Sequence, residues 1–222
     1  MPKTLLICLS LLVLLGAPLN ARPEGPEPQL AAVAGQAEQA PLPVATPVVE
    51  KLHDALTEVM KSAETLGYQG RYTQLTPIVA EAFDLPFMAR KTVGRHWKKL
   101  PECDQTRWIE AFGRLTTATY ADRFEGYSGE SFRTDAEEPA IHDTMMVLTT
   151  LTRPDDEDVQ LNYRLRRTGD GWKIIDIYLD GTVSELALRR SEYSSVLKRE
   201  GFENLVSTLD GKVADLEKKS AS

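Results

Sequence analysis

The sequence predicts an α+β fold: an antiparallel sheet of about four strands, with helices before and after it. Three observations carry this. From Pro47 onward, apolar residues recur at three- and four-residue steps, the period of a helix with one buried face. After Ser131 the period drops to two, as in strands with one buried face. Beyond Val183 the helical period returns. The helices must pack on the sheet, because the strands carry apolar faces that need cover.

The length of 222 residues suits one ordinary domain with small additions, and 42% hydrophobic residues suffice for a core. The net charge is −7 and the chain has no long block of Lys and Arg, which argues against nucleic acid as a partner. Charge alone does not hold such a chain to anionic lipid.

The N-terminal segment, MPKTLLICLSLLVLLGAPLNA, has an early Lys3, an apolar run from Leu5 to Leu15 and small residues up to Ala21. This is the layout of a secretory signal (1–21) cut near Ala21, and the run is short for a membrane span of ~20 residues. Export would leave Cys103 without an internal disulfide partner, as a structural thiol. Residues 22–45 are rich in Pro, Ala, Gln and Glu and read as a flexible leader. A single domain, 46–219, is expected to follow.

Within it, Val48, Leu52, Leu56, Val59, Met60 and Ala63 define a first helix ended by Gly67. A second covers Tyr72 to Phe83. Asp84 can cap a third, with Pro86 tolerated in its first turn and Gly94 near its end. A long helix is expected from about Asp104 to Phe124, with the stripe Trp108, Ile109, Phe112, Leu115, Ala118 and Tyr120; EGYSGE breaks it. Strands are expected at about 131–140, 143–152, 158–167 and 172–180, with turns marked by Asp155, Gly169 and Gly171. Helices over about 183–198 and 202–218, separated by Gly201, close the chain.

The last two strands pose a packing problem. Val159, Leu161, Tyr163 and Leu165 alternate with polar residues, whereas GWKIIDIYLDG is apolar on both faces. A three-residue loop, Gly169-Asp170-Gly171, with glycine at the left-handed position would pair Leu165 with Ile175, Tyr163 with Ile177 and Leu161 with Leu179, and set Arg164 across from Asp176. The resulting aliphatic surface needs cover. Helices could cover it fully, or stand off and leave a gap for an apolar ligand.

Three motifs bear on that choice. FDLPFMARKTVGRHWKKL supplies Asp84, Phe87, Met88, Ala89, Arg90, Gly94 and Trp97 in the order of a known signature. FGRLTTATYADRFEGYSGE and GWKIIDIYLDGTVSELALRRSEYSSVLKREGFENLVSTLDGKV follow. Together they resemble the toluene-tolerance, MlaC-like family of periplasmic lipid-binding proteins over roughly Val48 to Val213, and the last segment is similar to the branch associated with hopanoid biosynthesis. The resemblance implies an NTF2-like curved sheet with helices across it and a lipid pocket between them. It also implies exchange of phospholipid or hopanoid with an inner-membrane ABC transporter complex and an outer-membrane lipoprotein or exporter.

On that reading the sheet contributes Leu161, Tyr163, Leu165, Ile175, Ile177 and Leu179 to the pocket. The helices contribute Phe87, Met88, Val93, Phe112, Leu115 and Val183. Each is equally suited to plain core. Arg90 is either a headgroup contact at the mouth or a surface residue. No cofactor or metal is expected, and no Walker loop for ATP is present in the sequence.

Two other classes stay open. An NTF2-like enzyme would use Asp176, which interrupts an apolar strand, although Arg164 across from it favours a structural ion pair. The histidines are poor candidates: His53 falls on the polar side of the first helix, His96 lies among cations, and His142 lies at a turn. A ligand-free periplasmic adaptor would present helical surfaces to a membrane assembly.

Overall fold

The computed structural model describes residues 45–154 and 156–219. The signal, the cut near Ala21 and the leader up to residue 44 lie outside them. The elements are α1 (Thr46–Lys61), α2 (Ala63–Ala82), α3 (Leu85–Val93), a 3₁₀ turn (Gly94–Lys99), α4 (Glu102–Arg123), β1 (Ser131–Ala140), β2 (Thr144–Thr152), β3 (Val159–Thr168), β4 (Gly171–Leu179), β5 (Val183–Ser184) and α5 (Glu185–Lys219). The strands form an antiparallel meander in the order β1-β2-β3-β4-β5. This is the α+β layout that the periodicities predict, extended by the two-residue β5.

The first helix ends at Lys61 with Ser62 as its cap, six residues before the Gly67 stop that the sequence predicts. Two further breaks fall at glycines. Gly67 interrupts α2 with φ 58°, and Gly201 interrupts α5 with φ 83°, in the region where a side chain would be strained. Asp84 caps α3 by accepting from the Phe87 amide at 3.0 Å. Its other oxygen accepts from Arg166 Nε at 2.6 Å, so the cap also ties α3 to β3. The Asp84 amide donates to the Ile174 carbonyl at 2.9 Å and adds β4 to this junction.

The β3–β4 register corrects the expectation in two respects, the partner of Leu165 and the length of the loop, which is Gly169-Asp170 rather than three residues. Leu161 pairs with Leu179, Tyr163 with Ile177 and Arg164 with Asp176, but Leu165 pairs with Ile174. The ladder slips there and leaves Ile175 as the unpaired residue of a bulge. Gly171 takes φ 107°, the left-handed position the turn requires, while Thr168 pairs with Gly171 across a two-residue connection. The bulge explains how a strand apolar on both faces is used. Ile174 and Ile177 both join the core side although they are three positions apart, an odd step that would put them on opposite faces of a regular strand. Ile175 is buried outside that cluster.

The core lies between helices and sheet, where Leu165 and Ile174 meet Trp108, Phe112 and Leu115 of α4. Two buried donors fix the helical layer. Arg71 Nε donates to the Ala121 carbonyl at 2.9 Å and Nη1 to the Ala63 carbonyl at 3.3 Å. Trp108 Nε1 donates to the Ala89 carbonyl at 2.9 Å while its ring meets Tyr193 edge-on at 5.5 Å. A buried guanidinium is tolerated here because backbone oxygens satisfy it.

Candidate functional site: an apolar cavity between helices and sheet

The helices do not close fully on the sheet. A cavity of about 320 Å³ remains between them, at the low end of the ~300–1,000 Å³ typical of small-molecule sites. Leu151 of β2, Val159, Leu161 and Tyr163 of β3, and Ile177 and Leu179 of β4 form the sheet wall. Their one-face alternation is what β-strand geometry requires. Opposite stand Phe112, Thr116, Thr119, Tyr120 and Arg123 of α4, at helical three- and four-residue spacing. Met60 closes one end, Phe83 and Met88 another, and Leu186 of α5 a third.

The two threonines behave as apolar wall. Thr116 Oγ1 donates to the Phe112 carbonyl and Thr119 Oγ1 to the Leu115 carbonyl, each at 2.8 Å, so their hydroxyls are satisfied within α4. Tyr163 is buried, and its hydroxyl meets His53 Nε2 at 3.1 Å behind the wall. Burial pushes the Tyr120 and Tyr163 phenols well above their ordinary pKa, so both stay neutral.

The charged residues that line the cavity are Arg123, Arg153 and Arg189 with Glu130 and Glu185; Arg123 is exposed and the others are half-buried. Arg189 is oriented by its 3.0 Å bond to the Tyr193 hydroxyl and lies 3.6 Å from Glu185. Arg123 lies 3.8 Å from the same carboxylate. Arg153 is tied to the Glu157 carbonyl and to Asp156.

Of the residues expected to line a pocket, Met88, Phe112, Leu161, Tyr163, Ile177 and Leu179 stand on this wall. The others lie elsewhere. Leu165, Leu115 and Val93 are closed core. Ile175 is displaced by the bulge. Val183 is 42% exposed on the edge strand β5. Phe87 is half-buried, with the Arg166 guanidinium 4.3 Å above its ring. Arg90 is exposed near Phe87 and is not among the residues lining the cavity, whose arginines are Arg123, Arg153 and Arg189.

Sequence reasoning also missed Met60, Phe83, the α4 threonines, Phe124, Leu151 and Leu186. The threonines were hidden because polar residues do not count in an apolar stripe. A second stripe at 112, 116, 119, 120 and 123 would have been legible had their helical back-bonding been allowed for.

Two assignments are corrected outright. His53 is buried rather than on a polar face: its ring stacks on Phe132 at 4.1 Å, and burial lowers its pKa to about 4. Asp176 does not bond to Arg164, which instead donates to Thr144 Oγ1 and the Ile141 carbonyl. The Asp176 carboxylate accepts from Ser184 Oγ at 2.6 Å, the Leu186 amide at 3.0 Å and the Ile177 amide at 2.8 Å. Ser184 in turn accepts from the Ala187 amide at 3.0 Å. Asp176 thus holds the first turn of α5 against β4, and α5 brings Leu186 and Arg189 to the cavity. Burial raises its pKa despite these bonds.

Among the described residues there is no cluster of His, Cys, Asp and Glu that could hold a metal, and no helix long and apolar enough to cross a membrane.

The model of the MlaC protein family matches residues 50–211, and the chain belongs to that family. Among solved structures it is similar to a phospholipid-binding protein from Ralstonia solanacearum, determined in complex with a phospholipid. The identity is 22% and the TM-score 0.68, with 78% of this chain and 98% of that chain covered. The fold is therefore of the NTF2-like α+β class that the motifs imply. No curated protein matches the sequence.

Proposed function

We propose that this protein is a periplasmic lipid carrier that shields the acyl part of a phospholipid in the cavity between sheet and helices. The observation that carries this is the partition of chemistry in the cavity. Its sheet side is wholly aliphatic and aromatic, its threonine hydroxyls are satisfied within α4, and its charged lining consists of three arginines and two glutamates, two of these arginines lying near Glu185. Family membership and the phospholipid in the similar Ralstonia structure point the same way.

The physical task is to lower the cost of exposing hydrocarbon to water. Each buried CH₂ contributes ~0.8 kcal/mol, so a chain of about 16 carbons bare in water costs on the order of 12 kcal/mol. Leu161, Ile177, Leu179 and Phe112 supply dry contact for it. Arg123 and Arg189 suit a phosphate at the mouth, since guanidinium forks match its oxygens. No nucleophile or general base is needed. Asp176, the enzyme candidate, is consumed in holding α5 and is not on the wall. Loading and release belong to exchange with membrane-bound partners, the inner-membrane ABC transporter complex first. Hopanoid is the second lipid class, on the strength of the segment from Asp180 to Phe202. Residues 46–219 form the carrier domain.

The test is native mass spectrometry of the purified protein, followed by organic extraction and lipid analysis. Phospholipid near one per chain supports the reading, and hopanoid in its place moves the substrate class. A chain that stays lipid-free after incubation with phospholipid vesicles refutes carriage and favours an adaptor.

A further inference from the structure

A second concavity, of about 470 Å³, lies where the 3₁₀ turn meets α5. It is lined by Val93, Gly94, Arg95, His96, Arg190, Ser191, Ser194, Ser195 and Lys198. No carboxylate is among these residues, although the chain as a whole carries −7. Arg95, Arg190 and Lys198 are exposed, and none forms an ion pair among the described residues. Lys98 and Lys99 extend the same turn and are likewise exposed and unpaired among the described residues.

The groove depends on backbone shape. Gly94 has φ 55°, and a Cβ there would stand 3.3 Å from Arg190 Nη2. Its absence lets the guanidinium lie against the turn. Leu188, Ser191, Ser195 and Lys198 recur at three- and four-residue steps and share one face of α5. Leu188 is 54% exposed at the end of that stripe. The neighbouring Arg189 lines the apolar cavity, so the same turn of α5 borders both groove and cavity.

We propose that this groove docks the protein on an anionic bilayer by seating phosphate-bearing headgroups, with Leu188 entering the interface. Three cations lining one concavity with Ser191 and Ser195 suit a tetrahedral oxyanion; the Ser194 hydroxyl donates to the Arg190 carbonyl. An exposed leucine beside cations suits the boundary between headgroup and acyl chain better than it suits a solvated acidic protein surface. The net negative charge elsewhere repels the same membrane, so the groove also sets orientation and brings the cavity mouth to the bilayer. None of the groove residues lines the apolar cavity, so this inference stands whether or not the cavity carries lipid.

The experiment is flotation of the mature chain with phosphatidylcholine vesicles, with and without phosphatidylglycerol, at low and at physiological salt. Arg95→Glu with Arg190→Glu, and Leu188→Asp, are compared with the parent. Both sets change exposed residues; thermal unfolding and retained lipid are read alongside. The parent should bind the anionic vesicles and lose binding as salt screens the contact. Each cation lost near an anionic surface weakens binding about fivefold, so the double variant should be at least roughly thirtyfold weaker. Equal binding to neutral vesicles, or an unchanged double variant, overturns the proposal. Absence of vesicle binding at low salt overturns it in favour of an acidic protein partner. Saturable binding of inorganic phosphate that also abolishes flotation overturns it in favour of a soluble phosphate site.

Discussion

Replacing Ile177 by Trp separates a ligand cavity from a packed core. Ile177 is half-buried on the sheet wall, and the wall across from it is α4 with the cavity between. An indole there has open space to enter. It would displace about four methylenes of a bound chain, and at ~0.8 kcal/mol each this removes about 3 kcal/mol of binding. Affinity for a fluorescent acyl probe should fall roughly two-hundredfold, and the lipid co-purifying with the variant should drop accordingly. The fold should survive with little change in Tm. Leu165→Trp is the contrast, because Leu165 is fully buried and off the cavity wall. Overpacking there costs ~1–3 kcal/mol or more, so that variant should lose stability. If Ile177→Trp keeps its full complement of lipid, or unfolds as readily as Leu165→Trp, the space between α4 and the sheet is not where the ligand sits.

His53 makes the fold acid-sensitive. Burial holds its folded pKa at about 4 against 6.5, so its contribution is present above pH 6.5 and is lost as pH falls towards 4. The loss amounts to about 3 kcal/mol; urea titrations across that range should show it in the parent and not in His53→Phe. Glu137 accepts from the Ala45 and Thr46 amides and the Thr46 hydroxyl at the start of α1. Burial pushes this carboxyl up, but those bonds hold it below its ordinary value, so its stabilisation is present above the ordinary carboxylate range and is lost as pH falls through the folded pKa. Glu137→Gln should cost about 1–2 kcal/mol in denaturant unfolding at pH 7. For Asp176 the sign reverses: burial raises the folded pKa, so ionisation opposes folding at neutral pH and the penalty vanishes as pH falls towards 3.8. Asp176→Asn relieves that penalty but withdraws the acceptor from Ser184 Oγ, so stability should stay within about 1 kcal/mol of the parent, and lipid lost without loss of stability would refute a purely positional role.

Element types and order were legible in the sequence because each segment carries one clear period. Gly67, Gly94 and Gly201 mark breaks that the backbone does make at positive φ. The site was legible on the sheet side, where alternation fixes which residues share a face. Leu161, Tyr163, Ile177 and Leu179 follow from it directly. It failed at Ile175, because a bulge shifts the face of every residue beyond it and GWKIID, apolar on both sides, contains no contrast to reveal the slip. It failed on α4 because that helix is buried over much of its surface, from Trp108 and Leu115 to Thr116 and Ala121, so no single stripe identifies the cavity face. His53 was misread for a related reason: its burial depends on Phe132 and Tyr163, which lie far along the chain.

The size of the cavity bears on how a carrier lets go. Full enclosure of a chain of about 16 carbons would contribute on the order of 12 kcal/mol, an affinity near nanomolar, with slow dissociation. A cavity of about 320 Å³ whose rim includes the exposed Arg123 and Gly126 encloses less hydrocarbon than that. Covering half the methylenes would contribute about 6 kcal/mol, enough to hold lipid against water yet weak enough for a partner's own apolar surface to compete for it. The walls are unequal in how firmly they are held. β2, β3 and β4 are locked by long antiparallel ladders, and α4 by Arg71 and Trp108. The start of α5 joins the sheet through the two residues of β5 and the Asp176 carboxylate. The first turn of α5, which brings Leu186 and Arg189 to the cavity, is thus held to the sheet by β5 and one carboxylate, while the rest of the helix packs on α3 and α4.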